Sequence, residues 1–200
     1  MRPYWLASLV RPASAGADIG RSTPSALRLL TTHTAIWALV PALCWYYGVT
    51  RIGWQFGEEP VLKISVESAT KICMLFYFAM LAGVAFLGYM VHWMAATYAA
   101  SRSSYARGVA IATYTAMPYF VAGLLGLHPS LWFDIAIGIA VACHCLYLLY
   151  LGVPIVMEIP AERGFLFASA VVAIALVGVV AMMGGTALLW DFGAEPRYTY

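Results

Sequence analysis

Four apolar runs each place a polar group able to do acid–base or ligand chemistry in the same half of the membrane: His33, His92, Tyr114 and His144. Imidazole in such a place can ligate a transition metal or a haem, or it can bond one helix to the next. A metal centre needs ligands that converge. Cys143, His144 and Cys145 are consecutive, and consecutive helical residues point ~100° apart. No run carries two histidines on one helix face. His33, His92 and His144 are therefore the metal candidates, but the favoured reading is interhelical hydrogen bonding, worth about 1 kcal/mol per bond in a bilayer. No cofactor is expected. Asp134 sits near one end of its run, and Glu158 and Glu162 share a polar segment read as a solvated loop. No nucleophile–base pair or phosphate-binding glycine loop is present, so no enzymatic activity is expected. Lysine is missing from the middle of every run, which excludes a retinal Schiff base of the rhodopsin kind.

The elements that must position these groups follow from composition. The chain is 63% hydrophobic and 10% charged, where a soluble domain carries about 25% charge. Apolar runs cover about 29–47, 72–98, 109–126, 131–151 and 165–190. About 20 residues suffice for a helix to cross ~30 Å of hydrocarbon. Only Leu127–Ser130 separates the third and fourth runs, and a break that short joins antiparallel neighbours. The expected fold is an all-α membrane protein, a five-transmembrane-helix bundle around this hairpin. Segment 1–26 is polar, with Tyr4, Trp5 and Leu6 suited to a short interfacial helix, and 191–200 forms a polar tail.

The segment Val49–Lys71 is the one substantial loop. Ile52, Trp54 and Phe56 alternate with small or polar residues, as do Leu62, Ile64 and Val66, around Gly57-Glu58-Glu59-Pro60. That pattern predicts a β-hairpin in the outer loop between the first two helices. Seven arginines (2, 11, 21, 28, 102, 107 and 163) fall on the side of the N-terminus. Arg51, Lys63, Lys71 and Arg197 fall on the other side. The positive-inside rule then places the N-terminus inside and the C-terminus outside. A net charge of +2 gives no case for a nucleic-acid partner. Cys44 and Cys73 lie toward the outer ends of their runs and are expected to be free thiols.

Helix contacts are expected at small residues four apart: Ala79 with Gly83, Ala136 with Ala140, and Gly138 with Ala142. His92, Tyr114 and His144 fall at similar depths in the inner half and should face the bundle interior. Tyr114 and Tyr147 could satisfy the imidazoles, and Pro118 frees the carbonyl of Tyr114 as a further acceptor.

Three stretches carry a family resemblance: G-V-T-R-I-G-W-Q-F-G-E-E-P-V-L-K-I-S at Gly48–Ser65, Y-T-A-M-P at Tyr114–Pro118, and Y-L-L-Y-L-G-V-P at Tyr147–Pro154. With the order of segments, they make the chain resemble the bacterial inner-membrane branch of the Yip1 family. The resemblance marks Tyr150, Gly152 and Pro154, with Tyr147 and Pro118, as structural or interaction candidates. It implies five membrane helices with a cytoplasmic N-terminus. Eukaryotic members act with small GTPases in vesicle traffic, but their D-L-Y-G-P signature before the first span is missing here. The role expected is a non-enzymatic one through protein or lipid contacts, in membrane organisation, trafficking-like processes or as an accessory subunit. The partners expected are the bilayer and other membrane proteins or further copies of the chain. A small transporter or channel is the alternative, and a haem- or metal-bearing protein the third.

Overall fold

The computed structural model describes residues 25–55, 60–98, 100 and 103–199. The interfacial turn expected at Tyr4–Leu6 and the Gly57–Glu59 turn lie outside them. Five helices are long and apolar enough to cross a membrane. They are α1 (Ala26–Ile52), α2 (Val66–Met94), α3 (Tyr105–Leu127), α4 (Leu131–Met157) and α5 (Ala161–Leu189). They alternate in direction. One end of the bundle carries Ser25, Arg107 and the α4–α5 turn; this is the Arg107 end. The other carries the α1–α2 loop, the α3–α4 turn and the C-terminal tail; this is the tail end.

Capping and back-bonding extend the helices past the apolar runs. Ser65 caps α2 by accepting from the Ser68 amide at 3.3 Å, and Glu67 pairs with Lys71 at 2.7 Å one turn on. Val66–Lys71 is therefore helix, although its apolar residues continue the alternation of the preceding strand. Ser104 caps α3 by accepting from the Arg107 amide at 3.2 Å. The fourth apolar run, expected to end at 151, continues as α4 as far as Met157. Pro154 removes only its own donor, and α4 closes at Glu158 in the left-handed conformation (φ 53°). In α1, Pro41 lies inside the α-helical stretch Ala35–Tyr47, and two π-turns flank it at Leu30–Thr34 and Gly48–Ile52.

Near the tail end, the α1–α2 loop keeps the antiparallel character expected of it in reduced form. Trp54 and Leu62 exchange backbone bonds of 2.9 and 2.8 Å. The strand that follows, β1 (Lys63–Ile64), pairs with β2 (Tyr198–Thr199) of the C-terminal tail. Trp54 stacks edge-on against Trp45 at 5.6 Å, over a small core of Val49, Ile64 and Ala69.

The core belongs to α3. Its residues Val109, Ala110, Ile111, Ala112, Thr113 and Met117 are buried against α1, α2 and α4. In lipid there is no hydrophobic drive between helices, so close backbone approach decides which ones pair. That approach occurs at glycines. A Cβ on Gly108 would meet the Gly88 carbonyl oxygen, and one on Gly88 would stand 2.7 Å from the Val109 Cα. At the tail end, Gly123 lies on Pro41 and Gly126 on Trp45 and Gly48. Several of the small residues expected to mediate contacts do not. Nothing comes within 4 Å of a Cβ position at Gly83 or Gly138, and Ala136 and Ala140 are exposed. Spacing alone could not separate these positions from the glycines that touch.

Candidate functional site

Among the described residues, a buried polar node lies between α1 and α3. Thr31, Thr32, His33 and Thr34 follow one another within the first turns of α1. The Thr31 and Thr32 hydroxyls donate back to the Leu27 and Arg28 carbonyls at 2.8 and 2.6 Å, a habit that bends helices. The π-turn Leu30–Thr34 inserts the extra residue that rotates Thr34 inward. Its hydroxyl reaches the Leu29 carbonyl at 3.3 Å and shares a 2.9 Å bond with the Thr113 hydroxyl of α3. Both threonines are fully buried. His33 is half-buried, and its ring tilts against Tyr114 with centroids 5.4 Å apart. At the next residue after Thr34, the Tyr77 hydroxyl donates to the Ala35 carbonyl at 3.2 Å, tying α2 to the same place.

The His33 Nε2 is buried and meets no hydrogen-bond partner among the described residues. A buried nitrogen so placed costs about 1–3 kcal/mol. Replacing His33 by Phe keeps a ring against Tyr114 and removes the unpaired atom. His33→Phe is therefore expected to raise unfolding stability by about 1 kcal/mol, read from denaturation in one fixed detergent. Thr34→Val is expected to lose about 1 kcal/mol by stranding Thr113. The Thr34→Val/Thr113→Val pair should recover most of that, and a double-mutant cycle measures the coupling.

The other polar candidates do not join this node. His92 is half-buried, with Nδ1 2.7 Å from the Ser103 hydroxyl in the α2–α3 connection. His144 lies beside Tyr147 of its own helix at 6.2 Å, and Tyr147 is 55% exposed. The layer expected from depth is thus divided among separate contacts, and among the described residues no His, Cys, Asp and Glu cluster could hold a metal ion. Tyr114 and Pro118 are buried in α3. The Tyr150 hydroxyl bonds the Ser169 hydroxyl at 2.9 Å, joining α4 to α5, and Pro154 packs on Gly164 of α5. Gly152 faces open space. Cys44, Cys73, Cys143 and Cys145 are free thiols.

Arg107 was not singled out as a site by its residue type, yet it closes the α3–α4 seam. Its guanidinium donates to the Val156 carbonyl at 2.9 Å and lies 3.9 Å from the Glu158 carboxylate. Its side chain is only 12% exposed. A cation at a helix C-terminus meets both the free carbonyls and the negative end of the helix dipole. At the tail end, a cavity of about 580 Å³ lies between Ile52, Gln55, Val61, His128, Ser130 and Trp132. Beside it the Asp134 carboxylate accepts from the Ser130 amide at 3.0 Å.

A family model described as the Yip1 domain matches residues 6–182. The chain belongs to the Yip1 domain family. It is 36% identical over 175 residues to the inner membrane protein YohC of Escherichia coli strain K12, covering 88% of this chain and 89% of that one. The counterpart from Escherichia coli O6:H1 matches to the same extent. No solved structure matches the chain. Family membership and five apolar helices together make this an integral membrane protein of Yip1 type. The stretches Gly48–Ser65, Tyr114–Pro118 and Tyr147–Pro154 lie within the matched region. In this member they supply the Gly48–Gly126 crossing, a buried part of α3, and the α4 face that meets α5.

Proposed function

We propose that this Yip1-family protein is a non-enzymatic component of the bacterial inner membrane that acts through contacts with lipid or with other membrane proteins. Its N-terminus is cytoplasmic and its C-terminal tail periplasmic, by the distribution of arginine and lysine. The relative of known location is named an inner membrane protein.

One observation supports this reading above others. Ranges 29–50, 72–94, 109–127, 135–157 and 164–189 contain no Asp, Glu, Lys or Arg. Proton and ion paths through a bilayer are normally marked by such residues. Three polar contacts inside the bundle bind helix to helix: Thr34 to Thr113, Tyr77 to Ala35, Tyr150 to Ser169. Groups spent on architecture leave the lipid-facing surface and the two polar ends as the working parts. Organisation of the membrane, a trafficking-like process and an accessory-subunit role all use those parts.

The test is flux through purified protein in liposomes. Protein-free and protein-bearing vesicles are expected to lose a proton gradient, a potassium gradient and an entrapped small solute at equal rates. Protein-dependent leakage of any of them would replace this reading with a transporter or channel.

A further inference from the structure

Helix α5 is held in an unusual way. Its buried residues are Gly164, Phe167, Ala168 and Val171, all near the Arg107 end. There Gly164 packs on Pro154, and Phe167 stacks flat on Tyr98 at 4.9 Å. Toward the tail end the packing stops. Gly178 still approaches Phe86, at 4.0 Å from its Cβ position. From Val179 to Trp190 no residue is buried; Val180 is 68%, Met183 69% and Leu188 62% exposed. Nothing lies within 4 Å of a Cβ position at Gly83 of α2 or Gly184 of α5 either.

The far end of α5 is nevertheless returned to α2. After a turn at Phe192 and Gly193, where glycine takes φ 88°, the tail runs along the start of α2. The Ser68 hydroxyl donates to the Glu195 carbonyl at 2.9 Å and accepts from the Arg197 amide at 3.2 Å. The Ser65 amide donates to the Arg197 carbonyl at 2.8 Å. Tyr198 and Thr199 then pair with Ile64 and Lys63. The receiving side is firm: Ile64, Ser68 and Ala69 are buried. The tail side is open to solvent: Arg197, Tyr198 and Thr199 are exposed. Recognition is by main chain, as when an extended segment adds to a sheet edge. It sits at the bundle end, where water can compete for each bond.

We propose that the C-terminal tail is a releasable strap. It holds the tail-end half of α5 beside α2, and its release lets that half swing about the Gly164–Val171 contact. The opened α2–α5 seam is then filled by lipid acyl chains, the apolar solvent at that depth. A helix packed along its whole length would not need such a tie. One buried mainly at a single end is tied at the other by the tail. The inference is independent of the function proposed above and depends only on the five-helix fold.

Spin-label distance measurement in lipid nanodiscs tests it. In a chain whose native cysteines are replaced by alanine, labels are placed through Met74→Cys on α2 and Met183→Cys on α5. A control pair uses Ile36→Cys on α1 and Ile139→Cys on α4. With the tail intact, the α2–α5 distance distribution is expected to be narrow. Ser68→Ala removes two tail bonds, and deletion of 195–200 removes the strap. Both should broaden the distribution toward longer distances while the control pair stays unchanged. An α2–α5 distribution equally narrow in all three forms overturns the proposal. So does equal broadening of the control pair, which would make the tail a general stabiliser of the bundle.

Discussion

Gly108→Val is expected to destabilise the protein by at least about 3 kcal/mol, at or beyond the usual cost of overpacking a core. The Cβ position of Gly108 runs into the Gly88 carbonyl oxygen, and that of Gly88 runs into the Val109 backbone. Where a flexible side chain is in the way, it can move aside. Here main chain faces main chain, so relief requires α2 and α3 to separate. That separation would break the seam on which the α3 core is built. Gly83→Val and Gly138→Val are the controls. Their Cβ positions are free, so each should stay within about 0.5 kcal/mol of wild type. Denaturation of the three variants in one detergent measures the contrast. Equal effects at Gly83 and Gly108 would show that α2 and α3 do not cross where the structure puts them.

Arg107→Met is expected to cost about 2–4 kcal/mol, because a nearly buried cation is removed from the acceptors it serves. The Val156 carbonyl loses its donor at 2.9 Å, and Glu158 loses the charge 3.9 Å away. Arg107→Lys should recover only part. A compact ammonium lacks the planar fork that can serve a carbonyl and a carboxylate together. Chemical denaturation of the two variants and wild type in one detergent checks the order: wild type, then Lys, then Met. Met equal to wild type would mean that the guanidinium is solvated and the α3–α4 seam closes without it.

The α3–α4 hairpin was legible because two apolar runs of bilayer length stand either side of Leu127–Ser130. Helix ends were less so. Ser65 and Ser104 start helices ahead of the apolar runs, and Pro154 is carried inside one. Hydropathy reports what lipid accepts, while hydrogen bonding and capping decide where a helix stops. The interior site was legible in residue type but not in partners. His33 and Tyr114 stood out as polar groups in apolar runs, yet their meeting depends on how α1 crosses α3. That crossing is fixed by Gly48, Gly123 and Gly126. The run of Thr31, Thr32, His33 and Thr34 was the available signal for the π-turn, and its bond to Thr113 spans the α1–α3 seam. The pairing of β1 with the tail left no trace in the pattern, because main chain makes it with whatever side chains are present.

In the function proposed here, the protein works through what it touches. The most direct test is affinity purification of the tagged, full chain from native inner membranes in lipid-preserving nanodiscs. Co-purifying proteins and lipid classes are then quantified against bulk membrane by mass spectrometry. Reproducible, saturable enrichment of a membrane protein or of a lipid class is expected. Discs whose protein and lipid content matches the bulk membrane, across expression levels, would contradict it.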